Sequence, residues 1–225
     1  MQTWETSFNL AGHETGKVRS ILGYAGESLV IGRALAAGFN LFFKAWRDSP
    51  YDAVLEHDGV LCRIEIKQSR EGEQLSLTGG GRSGQQISRS AGSRERIVSA
   101  DDCDLLIGVH SLSGRCWIVP TEVLEILNRK SISVDAFRDF DEAWHLIIRA
   151  QALFPTLGLR TRLREMSEEH LHELAAKVGA TLPAPNELRF GKRSRIRVDS
   201  ETDRLALEIW RTLARPHDLG SDDSN

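Results

Sequence analysis

An excess of positive charge is the first thing this chain lacks. Its 29 Lys and Arg face 32 Asp and Glu, a net charge of −3. Binding to a polyanion must therefore come from local patches and not from the field of the whole chain. Cysteine is also scarce. Cys62, Cys103 and Cys116 form no CxxC pair, and the histidine spacing offers no zinc pattern. An odd count with two cysteines inside expected strands points to reduced, buried thiols and a cytoplasmic protein. No apolar run approaches membrane-spanning length and no signal-peptide pattern is read, so no membrane partner is expected. No internal repeat is visible. What remains is ordinary for a globular chain: 225 residues, 40% apolar and 27% charged, enough for one substantial domain or a core with a small appendage.

The most informative stretch runs from Ser49 to Gln68. Asp58-Gly59 is a strong signal for a two-residue hairpin, because a type I′ turn needs positive φ at both central positions. With those residues as the loop, His57 faces Val60, Leu55 faces Cys62 and Asp52 faces Glu65. Side chains alternate along strands, so Asp52, Val54, Arg63, Glu65 and Lys67 share one face. Ala53, Leu55, Val60, Cys62, Ile64 and Ile66 share the other, which is apolar and belongs to the core.

Two carboxylates directly opposite on one sheet face stand roughly 5 Å apart, a destabilising arrangement unless positive charge lies between them. Lys67 supplies part of that charge. A divalent cation supplies the rest: hard oxygen ligands at this spacing suit Mg²⁺, which keeps much of its shell for water and phosphate. The alternative is a salt-bridged, solvated face with no function.

Asp52, then twelve residues, then Glu65-Ile66-Lys67 resembles the PD-(D/E)xK nuclease superfamily. So does Gly26-Glu27 in a helical run ending at Gly38, since many members bear a glutamate on the helix before the first strand. The order helix, strand, Asp strand, Glu-x-Lys strand covers residues 20 to 68, and a further strand and helix to about 128 are compatible. Here Tyr51 separates Pro50 from Asp52, a position that varies in the family. The resemblance implies that Asp52 and Glu65, with the Ile66 carbonyl, hold Mg²⁺ (or Mn²⁺), that Lys67 orients water and offsets phosphate charge, and that Glu27 assists. The other reading of Glu27 is a residue at the solvent edge or paired with Lys17 or Arg33.

Elsewhere the pattern is coarser. A largely buried helix is expected from about His13 to Gly38, then a strand over Asn40–Trp46. Gln74 to Thr78 is a possible short strand. Residues 79–96 hold five glycines, four arginines and one acid. Freed backbone amides beside guanidinium groups suit phosphate oxygens, which makes Arg82, Ser83, Gln85, Gln86, Arg89 and Arg94 candidate DNA contacts. A plain surface loop is the alternative. Strands follow over Asp104–His110 and Arg115–Val119, then a short helix opened by Pro120. Ala136 to Leu153 looks helical. Ser167 caps a helix stopped by Gly179, on which His170 and His172 do not share a face. Arg189, Lys192, Arg193, Arg195 and Arg197 cluster with no acid between them, either for DNA or paired with the acidic tail or with Glu201 and Asp203. Glu201 to Leu213 is amphipathic.

These readings predict an α/β fold, a restriction-endonuclease-like mixed sheet flanked by helices, with a nuclease core over 13–130. A mainly helical region over 131–216 and a disordered acidic tail over 217–225 complete it. The expected activity is Mg²⁺-dependent endonucleolytic cleavage of DNA, of the homing, junction-resolving or restriction type, by a homodimer or homotetramer. A ribonuclease with the same site, or a non-catalytic nucleic-acid-binding subunit, are the alternatives.

Overall fold

The computed structural model describes residues 15–44, 49–69, 74–79, 96–184 and 197–216, with side chains from residue 21 onward. Helix α1 (Thr15–Ala36) ends at Gly38, whose φ of 89° lets the chain reverse into β1 (Asn40–Phe43). Strands β2 (Ala53–His57) and β3 (Val60–Ser69) form the expected hairpin. Asp58 and Gly59 both have positive φ, 49° and 79°. The register is the one read from the turn, with His57 opposite Val60, Leu55 opposite Cys62 and Ala53 opposite Ile64. Short strands β4 (Gln74–Ser76), β5 (Thr78–Gly79) and β6 (Arg96–Ile97) follow, then β7 (Leu105–His110), β8 (Cys116–Pro120) and α2 (Thr121–Leu127).

The main sheet has the order β1-β2-β3-β7-β8, with β3 and β7 parallel and the other pairs antiparallel. It is a mixed five-stranded sheet flanked by helices, as expected. Ala53, Leu55, Cys62 and Ile64 are buried, which makes their face the core face. Helix α1 lies on it: a Cβ at Gly26 would stand 3.4 Å from the Gln68 side chain, and Val30 and Ala34 are buried along the same stripe. The helix is not largely buried, however. Ile21, Tyr24 and Leu35 are exposed, because a helix laid on one sheet face can bury only one side.

Beyond α2, strand β9 (Ser131–Ser133) pairs with β4, so hydrogen bonds cross residue 130. The continuous helix expected over 136–153 does not form. A 3₁₀ stretch (Val134–Phe140) breaks before α3 (His145–Leu153). Between them Asp141 bridges Trp117, Glu142 takes a φ of 50° and donates its N–H to the Cys116 carbonyl at 2.8 Å. The chain leaves the helix there to cover the free edge of β8. Helices α4 (Glu168–Val178) and α5 (Glu201–Ala214) begin at Ser167 and Ser200, each serine oxygen accepting a backbone N–H of the first turn at 3.3 Å. Helix α5 buries Leu205, Ala206, Leu207, Ile209, Trp210 and Leu213 against α2, α3, α4 and the 134–140 stretch. Among the described residues no helix is long and apolar enough to cross a membrane.

Candidate active site

The site is built by two registers acting together. In β1 and β2 Phe43 pairs with Ala53, which brings the next residues, Lys44 and Asp52, opposite each other. In β2 and β3 Ala53 pairs with Ile64, which brings Asp52 opposite Glu65. Asp52 stands one residue before β2 begins. Its backbone N–H still donates to the Ile64 carbonyl at 2.8 Å, and its side chain then closes the ladder: Oδ2 accepts the Ile66 N–H at 2.8 Å. The carboxylate thus stands where the strands part, on a bond that fixes its orientation.

Each acid holds a lysine. Lys44 Nζ donates to Asp52 Oδ1 at 2.7 Å, and Lys67 Nζ donates to Glu65 Oε1 at 2.5 Å. Burial, opposed by Lys67 and aided by the Asp52 charge, pushes the Glu65 carboxyl up to about 7. Part of the burial comes from above: a Cβ at Gly79, the end of β5, would lie 4.0 Å from Glu65 Oε1. Gly79 pairs with Arg96. Both ends of the glycine- and arginine-rich segment are therefore anchored beside Glu65.

The sequence reading thus brings Asp52, Glu65 and Lys67 to one place. Glu27 is half-buried on α1, next to the Gly26 that packs on Gln68, and Arg33, one cation considered for it, donates to Glu142 at 2.5 Å. Arg82, Ser83, Gln85, Gln86, Arg89, Arg94, Lys192, Arg193 and Arg195 lie outside the described residues. Arg197 is exposed and pairs with Asp199 at 2.5 Å, not with Glu201 or Asp203. Lys44 was missed. Its one signal was a lone charge following Leu41-Phe42-Phe43.

Among the described residues, the one group of three His, Cys, Asp or Glu side chains with ligand atoms within 4.8 Å of one another is Glu168, His172 and Glu201, exposed on α4 and α5. Its signal was the i, i+4 spacing of Glu168 and His172, overlooked in favour of the two histidines. Glu27, Asp52 and Glu65 do not form such a group.

No protein-family model matches the chain, and no curated protein matches it. Among solved structures, a bacterial homing endonuclease, I-Ssp6803I, is similar in outline, with 19% identity over 60% of this chain and 97% of that chain and a TM-score of 0.48.

Proposed function

We propose that this chain is a Mg²⁺-dependent endonuclease acting on DNA. One observation supports the reading above the others. Asp52 and Glu65 face each other across parting strands on the polar side of a sheet, with Lys67 against Glu65. The donor set fits a hard divalent cation: two carboxylates, with the Ile66 carbonyl beside them. Burial and the Asp52 charge both oppose a negative Glu65, a strain that a cation would relieve. The two lysines are single-point ammonium partners on flexible stems and can give way. Bound Mg²⁺ would supply Lewis-acid stabilisation of charge on the phosphate, and Mn²⁺ is expected to substitute.

The chain's own residues then have distinct tasks. Asp52, its geometry fixed by the Ile66 N–H, and Glu65 hold the cation. Lys67 orients the attacking water and offsets charge that develops on the phosphate. Glu27, on the helix laid against the other face of the sheet, is given its assisting part by the resemblance alone. The arginines of residues 80–95, the segment that runs from Gly79 beside Glu65 to Gly79's strand partner Arg96, grip the DNA backbone, as do those of 189–197. By the PD-(D/E)xK resemblance the products carry a 5′-phosphate and a 3′-hydroxyl. Cutting both strands calls for two such sites, hence a homodimer or homotetramer.

The charge balance favours one rival. Two acids matched by two lysines need no cation, which suits a non-catalytic nucleic-acid-binding subunit. Incubation with plasmid, linear, four-way-junction and RNA substrates, with and without Mg²⁺ or Mn²⁺, separates the readings. Metal-dependent cleavage of DNA is the expected result. Cleavage of RNA alone would make the chain a ribonuclease, and tight binding without cleavage of any substrate would favour the rival.

A further inference from the structure

Lys44, Asp52 and Glu65 occupy one level across three adjacent strands, and Lys67 lies two residues beyond Glu65 on the same face. With both acids ionised the row is neutral, each carboxylate bonded to one ammonium. A divalent cation entering it would leave an excess of two positive charges within a few ångströms, unless a lysine withdraws. The two lysines are not equally placed for that. Lys67 sits inside β3, with 21% of its side chain exposed and a 2.5 Å bond. Lys44 lies just past the last residue of β1, with 27% exposed and a 2.7 Å bond. Asp52 does not need Lys44 for its orientation, because the Ile66 N–H already holds Oδ2.

We propose that Lys44 is a resident counter-ion that competes with a divalent cation for Asp52 Oδ1 and so sets how tightly this site takes up metal. The proposal rests on the reading of Asp52 as a cation ligand. It makes occupancy an exchange: the ammonium of Lys44 leaves Asp52 as the cation arrives. With two carboxylates opposite each other across the strands, the resident lysine keeps the apo site from repelling itself, at the cost of weakening metal affinity. A guanidinium in the same place would hold both carboxylate oxygens more firmly than an ammonium does. A neutral side chain of similar length would not hold them at all. The two replacements therefore push metal affinity in opposite directions, which simple damage to the fold cannot do.

The experiment is calorimetric titration of the full chain, stripped with EDTA, with Mn²⁺ and then Mg²⁺ in the absence of DNA. Parent, Lys44→Met, Lys44→Arg and Asp52→Asn are compared, each checked by thermal melting in EDTA. Lys44→Met is expected to bind about tenfold tighter, the order of effect of removing one nearby positive charge in a half-buried site. Lys44→Arg is expected to bind at least several-fold more weakly than the parent, and Asp52→Asn not at all. If Lys44→Met does not fold, the weakened binding of Lys44→Arg bears the test alone. Parental affinity in both lysine variants would overturn the role of Lys44 and leave the metal site standing. Failure of every protein to take up Mn²⁺ would overturn both, whereas uptake by Lys44→Met alone would be the strongest support.

Discussion

Arg63 and Lys67 project from the same face of β3, and each neutralises an acid, but they do it in different ways. Asp104 is 3% exposed and saturated: Oδ1 accepts Arg63 Nη2 at 2.7 Å and Nε at 3.2 Å, while Oδ2 accepts the Arg63 backbone N–H at 2.8 Å and Arg160 Nε at 3.4 Å. The same guanidinium donates to the carbonyls of Ala100 and Asp101. Every donor is fixed by a planar group with several contacts, so the cluster pins the 99–104 turn to β3 and has no capacity left for a ligand. Two residues along the strand, Glu65 has one ammonium partner and Asp52 has one ammonium and one amide. Lysine is a compact charge on a flexible stem, and its partner keeps lone pairs to spare. On one sheet face, arginine makes a joint and lysine leaves a site.

The sharpest way to break that comparison is to remove a cation from each cluster. Lys67→Ala is expected to lower the rate of Mg²⁺-dependent DNA cleavage by about 10²–10³, the usual loss when one charge-stabilising group is deleted. Its melting temperature should stay close to the parent's, as read by circular dichroism. A variant that cuts at the parental rate would place the chemistry elsewhere. Arg63→Ala should do the reverse. It strips Asp104 Oδ1 of both its donors and leaves Oδ2 with the residue-63 N–H and Arg160; losing one partner of a buried pair costs about 3 kcal/mol of stability, measurable by urea unfolding. A small loss there would mean that Asp104 is no more tightly held than Asp52.

How much of this was legible in advance follows from the range of each interaction. The hairpin, its register and the facing of Asp52 and Glu65 came from two adjacent residues, Asp58 and Gly59, because turn chemistry is local and strand alternation propagates it. The caps at Ser167 and Gly179 were local as well. Lys44 could not be assigned to Asp52 until β1 was known to pair with β2 in a register no turn dictates. Arg63 and Asp104 are 41 residues apart and meet through a parallel pairing of β3 and β7, which leaves no pattern in the spacing. The break between the 134–140 stretch and α3 was invisible for the same reason: Phe137, Phe140, Trp144 and Ile147 do follow a helical pattern, and only the need to cover the β8 edge interrupts it.

Surface arginine offers a third case. Arg197 is 85% exposed and, among the described residues, bonded to its neighbour-but-one Asp199, a kind of pair worth little in water and easily exchanged for phosphate. Replacing Arg193, Arg195 and Arg197 by alanine should weaken DNA binding and flatten the slope of log affinity against log salt by about two to three units, at about 0.9 per lost phosphate contact. Fluorescence anisotropy at several salt concentrations reads both. An unchanged slope would move the DNA grip to residues 79–96.

Glu122 extends the comparison to an acid held by no cation in direct contact. It is 3% exposed, its Oε1 accepts the Arg164 backbone N–H at 3.0 Å, and its Oε2 accepts Trp210 Nε1 at 2.7 Å. The indole bond ties α2 to α5 across 88 positions of sequence. Burial raises its pKa above the usual 4.5, against the pull of its N–H donors and of the Arg162 charge. The folded chain then holds this proton more tightly than the unfolded one. Stability from protonated Glu122 is therefore complete below the unfolded value and is lost as pH climbs through the higher folded value. Glu122→Gln cannot ionise, but it must turn its NH₂ toward one of two N–H donors, a mismatch that costs about 1–3 kcal/mol. The variant should accordingly be less stable than the parent near pH 4, and its deficit should narrow as pH rises to about 7, because only the parent pays for a buried charge there. Urea unfolding of both proteins across that range checks the sign. A deficit that widens with pH would mean that indole and amide donors hold a buried carboxylate as well as the guanidinium of Arg63 does, and the distinction between the clusters would lose its basis in donor type.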